Sequence, residues 1–178
     1  LSLKNEGLRF ESLDGLYRES PDFDAFAQAA VDRLLTCLAE GPLCYAVSDP
    51  TLDETVRLLL VRAPESASVL PGVPLSSPMA AAAGVSQPLL VSGAVGLVIH
   101  NAQQPICIAE LDSRALAGEV KLKLLRKYGE GAHVVFFPPG EEPCRAGLEI
   151  PLEDLDRQPA YDHTAGLVVF PVPLLSRT

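Results

Sequence analysis

Ala67–Gly84 reads ASVLPGVPLSSPMAAAAG. Ser68–Leu70 has the character of the end of a short strand, Pro71-Gly72 turns the chain, and the small residues of 76–83 predict a helix with almost no side-chain bulk. In an open α/β sheet a ligand binds just past the carboxyl ends of the strands, where backbone amides and a helix N-terminus are exposed. Gly72 opens backbone angles closed to other residues, and the Ser and Ala side chains leave a ligand room to touch main chain. The same letters also describe a tight turn followed by a closely packed core helix. The surrounding sequence has to weigh the two.

Upstream, the apolar residues Phe23, Phe26, Ala27, Ala30, Val31, Leu34, Leu35 and Leu38 recur at steps of three and four between Pro21 and Glu40. That spacing predicts an amphipathic helix laid on a sheet, started by Asp22 and stopped at Gly41. Leu43–Val47 is apolar without polar alternation, as a strand covered on both faces is. It ends in Ser48-Asp49-Pro50, after which a helix is expected with Leu52, Val56, Leu59 and Leu60 inward. Asp49 is placed either to accept hydrogen bonds from a ligand or to cap that helix. A short strand is also expected over Leu8–Glu11 and a turn over Ser12–Tyr17. Strand and helix thus alternate, the pattern of a mostly parallel sheet with helices on its faces.

Downstream, Gly, Ser and Pro punctuate 87–96 and strands become more frequent. Two α/β subdomains follow: 1–92 with a mostly parallel sheet and 93–178 with a mixed one. Strands are expected within Val91–Asn101, over Ile106–Glu110, His133–Phe137 and Gly147–Ile150, and finally over Gly166–Pro171. A loop is expected over Gly140–Cys144 and a helical turn over Leu152–Leu155. Leu111-Asp112-Ser113 starts a helix running to Tyr128, with Leu116, Val120 and Leu124 on one stripe and Gly129 as the stop. Its Lys121, Lys123, Arg126 and Lys127 crowd the C-terminal end, where they complement the helix dipole as a solvated face.

A chain of 178 residues, 48% of them apolar, can bury a real core. Its formal net charge of -9 argues against nucleic acid or an anionic membrane as main partner. The greasiest region, Pro88–Ile99, is broken by Ser92, Gly93 and Gly96 and is too short to span a bilayer. Cys37, Cys44, Cys107 and Cys144 are widely spaced and form no C-x-x-C pair, which suits buried free thiols in a reducing cytoplasm. The chain starts at Leu1 without a signal peptide, and a piece of a longer protein is one expectation.

Familiar catalytic signatures are missing: no G-x-S-x-G, Walker loop, H-E-x-x-H or G-x-G-x-x-G occurs. His100, His133 and His163 are isolated, and nothing near them has metal-ligand spacing, so no metal is expected and no catalytic residue is assigned. His163, preceded by Asp162 at the mouth of a strand, reads first as a loop histidine with a structural hydrogen bond.

Several stretches together carry a resemblance. CYAVSDPTLDETVRLLL, SVLPGVPLSSPMAAAAG, ICIAELDSRALAGEVKLKLLRKYG, IPLEDLDR and YDHTAGLVVFPV occur in the order found in the tetrapyrrole (corrin and porphyrin) methylase family. The chain most resembles the branch joined to MazG-type nucleoside triphosphate pyrophosphohydrolases. The resemblance implies a bilobal methyltransferase with S-adenosylmethionine in a cleft between two α/β halves. It implies cofactor contacts from Val47, Ser48 and Asp49, from Pro71, Gly72, Val73 and Pro74, and from Asn101, Phe137 and Thr164. It further implies a small-molecule methyl acceptor, a tetrapyrrole or another, and a homodimer. Methyl transfer from a sulfonium is an in-line displacement that needs alignment and exclusion of water more than a dedicated base.

The chain departs from the family in two places. The opening strand with its G-x-G-P-G-D loop has no counterpart, and Ser48-Asp49-Pro50 stands where G-D-P is usual, losing a glycine. The alternative reading is therefore a catalytically inactive, methylase-like regulatory or dimerisation module beside a pyrophosphohydrolase. A generic ligand-binding α/β protein is the third.

Overall fold

The computed structural model of the chain describes residue 7, residues 10–140 and residues 146–171. The protein divides into two compact units, Leu1–Pro74 and Leu75–Thr178, so the division falls inside the 67–84 stretch. It precedes residue 92 because 75–93 is committed to the second unit: Leu75, Val85 and Leu89 pack on a cluster there, and Leu90–Gly93 pairs as a strand.

The first unit contains the helices α1 (Asp14–Glu19), α2 (Phe23–Leu38) and α3 (Glu54–Arg62). Asp22 caps α2, its side chain accepting from the Ala25 amide at 2.8 Å. Ala27, Ala30, Val31 and Leu34 are buried at the three- and four-residue steps expected from the sequence. Tyr17 of α1 meets the Phe26 ring edge-on at 5.4 Å. The helix after Pro50 begins later than expected, because Asp53 and not Asp49 is its cap, accepting from the Val56 amide at 2.8 Å. Leu60 of α3, expected inward, is exposed.

The expected first sheet is not formed among the described residues of this unit. Leu43–Val47 and Ser68–Leu70 are in no strand, and of the Leu8–Glu11 strand Phe10 and Glu11 are unpaired while Leu8 and Arg9 lie outside the described residues. Prolines flank both inner segments, Pro42 and Pro50 around one, Pro64 and Pro71 around the other, and each lacks the N–H that a ladder requires.

The second unit holds the α/β sheet. Its strands are β1 (Leu90–Gly93), β2 (Ile106–Ala109), β3 (His133–Phe137), β4 (Leu148–Ile150) and β5 (Gly166–Phe170), in the order β1-β2-β5-β3-β4. β1 and β2 run parallel while the other pairs are antiparallel, so the sheet is mixed as expected. The middle strands are buried on both faces. Ile106, Ile108, Val134, Phe136, Leu167 and Val169 join a core with α5 (Arg114–Tyr128) and the short 3₁₀ helix Leu152–Arg157. The alternate residues Cys107, Val135, Phe137 and Val168 pack with Met79 of α4 (Ser76–Ala82). Gly166 is where these layers come closest: a Cβ there would lie 2.6 Å from Met79 Cε and 2.7 Å from the Ile108 carbonyl oxygen.

Ser113 caps α5, accepting from the Leu116 amide at 3.2 Å. Lys121 of α5 reaches Asp156 at 2.6 Å, and Arg114 Nε donates to the Asp156 carbonyl at 2.7 Å, so the 3₁₀ helix is clamped to α5 by charge as well as by Leu152 and Leu155. Cys37, Cys44 and Cys107 are in no disulfide among the described residues; of the three Cys107 is buried, Cys37 half-buried and Cys44 exposed, while Cys144 lies outside the described residues, as does most of the expected Gly140–Cys144 loop. No helix among the described residues is long and apolar enough to cross a membrane.

Candidate functional site

The unpaired segments of the first unit have a different use. Residues 43–51 and 66–74 face a common cavity of about 520 Å³ whose remaining wall comes from α2 and α3, chiefly Leu34, Leu38, Val56 and Leu59. That volume is within the range of about 300–1,000 Å³ typical of small-molecule sites. The cavity lies wholly within 34–74.

Val47, Ser48, Asp49, Pro71, Gly72, Val73 and Pro74 all line it. Asp49 is the buried polar group of the set, 7% exposed. Its Oδ1 accepts from the Thr51 amide at 2.9 Å and from the Thr51 hydroxyl at 2.6 Å, which closes a tight turn at Pro50. That leaves Oδ2 as an acceptor for a donor in the cavity. Gly72 differs from expectation: it is not in the left-handed region, and a Cβ there would meet nothing within 4 Å. The fold of the turn does not require a glycine at this place, where the main chain is open to approach.

Sequence reasoning passed over Tyr45 and Asp53. Tyr45 lines the cavity and its hydroxyl donates to Asp53 Oδ2 at 3.5 Å. Burial pushes the Asp53 carboxyl above its ordinary range, against the opposing hydrogen bonds from Val56, Thr55 and Tyr45. The signal available was the D-E-T-V run, in which an aspartate opening an acidic first turn caps a helix better than Asp49 does.

The three remaining expected residues belong to the second unit. Phe137 is 1% exposed and packs with Met79, Cys107 and Val168, so its ring is core. Thr164 is close by, since Phe137 pairs with Gly166 and the Gly140 amide donates to Thr164 Oγ1 at 3.1 Å. The Thr164 hydroxyl in turn donates to Asp162 Oδ1 at 2.6 Å. Burial of Asp162 raises its pKa, but the two bonds from Thr164, the neighbouring His163 and the Ala165 amide outweigh it and hold the carboxyl below its ordinary value. Asn101 is held in a separate turn, its Oδ1 accepting from the Gln103 amide at 2.9 Å. Among the described residues no group of three or more His, Cys, Asp or Glu side chains could hold a metal ion.

A mixed five-stranded sheet with helices on both faces in one unit, and a helical unit bearing a cavity in the other, define a two-unit α/β protein. Among solved structures it is similar to one described as the crystal structure of the methyltransferase CobJ, at 19% sequence identity and a TM-score of 0.58, covering 84% of this chain and 71% of that one. At that identity the likeness shows a shared fold. No family model matches the chain. No curated protein matches it in sequence.

Proposed function

We propose that the protein is a methyltransferase domain of the tetrapyrrole methylase family that binds S-adenosylmethionine in the 43–74 cavity, its methyl acceptor being a small molecule. The observation that carries this reading is that two stretches assigned to the cofactor by family resemblance, Val47–Asp49 and Pro71–Pro74, line one cavity. The donor set fits the group: an apolar floor suits an adenine ring, exposed main chain at Gly72 permits close approach, and Asp49 Oδ2 can accept from a hydroxyl or amino group. When bound, S-adenosylmethionine supplies an electrophilic methyl group. The protein's part is to hold donor and acceptor in line and keep water out, work for which the apolar wall of Leu34, Leu38 and Leu59 is suited. Association with a MazG-type pyrophosphohydrolase, homodimerisation and a cytoplasmic location are extensions of the same resemblance, and the dimer is read by light scattering of the purified chain.

The second reading, a non-catalytic module of the same fold, is favoured by the lack of any paired strand to hold residues 43–47 among the described residues. Calorimetric titration with S-adenosylhomocysteine separates the two. The methyltransferase reading expects saturable binding, weakened about tenfold or more by Asp49→Asn, which keeps the Oδ1 bonds to Thr51 but turns the other acceptor into a donor. No heat at millimolar nucleoside, with the fold intact by circular dichroism, overturns it in favour of the regulatory module.

A further inference from the structure

The acidic balance of the chain hides a local reversal. α5 carries five of its 14 Lys and Arg side chains and one Glu in a protein of net charge -9. Arg114 and Lys121 are committed to the 3₁₀ helix, whereas Lys123, Arg126 and Lys127 border a separate hollow of about 280 Å³ with Leu97, Val98 and Ile99 along its other side. Lys123 Nζ donates to the Leu97 carbonyl at 3.0 Å, which ties the two sides together. Arg126 and Lys127 are exposed and have no acidic partner among the described residues.

The opposite wall alternates in burial as a strand would. Leu97 and Ile99 are 3% and 7% exposed while Val98 between them is 62% exposed, the alternation of a half-buried strand. No backbone hydrogen bond reaches Val98 or Ile99 among the described residues. Among the described residues the main chain of Val98, the exposed residue of the three, therefore has no backbone partner, and it lies beside an exposed aliphatic side chain and the Arg126 and Lys127 cations.

We propose that this hollow is a docking site for an extended, acidic polypeptide segment, which pairs with the main chain of Val98 and sets its carboxylates against Arg126 and Lys127. Main-chain bonds give such complexes their affinity and the alternate side chains their specificity, here an aliphatic residue against Val98 and acidic residues toward α5. A nucleic acid fits less well, because two or three cations on a chain of net charge -9 give little counterion release. The site is in the second unit and does not depend on what fills the 43–74 cavity.

The test is fluorescence anisotropy of the full chain with a labelled synthetic peptide alternating glutamate and valine. Binding is expected at low ionic strength, to weaken as salt is raised, and to fall about tenfold with Arg126→Gln/Lys127→Gln. Both positions are exposed, so the double variant keeps its helical circular dichroism. Val98→Pro removes the donor while leaving the cations in place, and it is expected to abolish binding as well. Full competition by inorganic tripolyphosphate would mark a simple anion site and overturn the proposal. So would equal binding of a lysine-valine peptide, tighter binding of an oligonucleotide, or affinity that neither variant changes.

Discussion

Two five-residue runs of similar composition, Leu43–Val47 (LCYAV) and His133–Phe137 (HVVFF), end in different structures. The second is β3, paired on one side with β5 and on the other with β4, and its last four residues are buried. The first is in no strand, leaves Leu43 39% exposed and lines a cavity. An apolar run announces that side chains will be covered; it does not say whether by a neighbouring strand or around a ligand. The backbone decides, since a strand needs at least one neighbour with free N–H groups, and the prolines around 43–47 and 68–70 remove some of them from the first unit. The second unit accordingly holds the paired sheet, and the first holds the cavity.

Truncation in the two runs gives the widest contrast. Phe136, 1% exposed and packed against Tyr161 at a centroid distance of 6.1 Å, is expected to lose about 3–5 kcal/mol on Phe136→Ala. Leu43→Ala is expected to stay within about 0.5 kcal/mol, which urea unfolding of both variants resolves. Equal losses would mean that 43–47 is core after all. Next in size is Gly166→Ala, at about 2–3 kcal/mol. Met79 can swing away from the new methyl group, but the Ile108 carbonyl oxygen is backbone and cannot, so adding Met79→Ala is expected to recover only part of the loss.

The contrast also marks how far the sequence could be read. α2 and α5 were legible because a 3.6-residue period, an Asp or Ser cap and a terminal glycine agree with one another. β2, β3 and β5 were legible as apolar runs bounded by turn residues, and they are strands because they happen to have each other. The same signal misled at Leu43–Val47 and Ser68–Leu70, where pairing depends on distant segments that local spacing cannot report. At the candidate site, grouping Val47–Asp49 with Pro71–Pro74 came from resemblance alone. The depth of Phe137 and the role of Asp53 required the packing to be seen.

Charge pairs provide smaller, signed effects. Lys121, whose ammonium bonds its carboxylate, holds Asp156 below its usual pKa, against a burial contribution that raises it. A depressed folded value means the stabilisation is complete above the unfolded pKa near 4 and is lost as pH falls through the folded one. Asp156→Asn is therefore expected to cost about 1 kcal/mol at pH 7, discounted for partial exposure, with wild type and variant converging as pH falls into acid. Parallel melting curves at every pH would show the pair to be idle.

The smallest expected effect has the opposite sign and belongs to the first unit. Asp53 is held above its usual range chiefly by burial, so at neutral pH its charge opposes folding, and that cost is relieved as pH falls through the raised folded value. Asp53→Asn removes the charge but keeps an oxygen for the Val56 amide, and asparagine caps a helix as well as aspartate does. Stability at pH 7 is expected to stay level or rise by a few tenths of a kcal/mol, with the gain vanishing in acid. Asp53→Ala, which loses the cap, is expected to cost about 1 kcal/mol. Because Asp53 anchors Tyr45 at the edge of the cavity, Asp53→Ala is also expected to weaken S-adenosylhomocysteine binding while Asp53→Asn does not. If both bind alike, the helix cap and the cavity are independent, and the unpaired wall of the first unit is held by something other than α3.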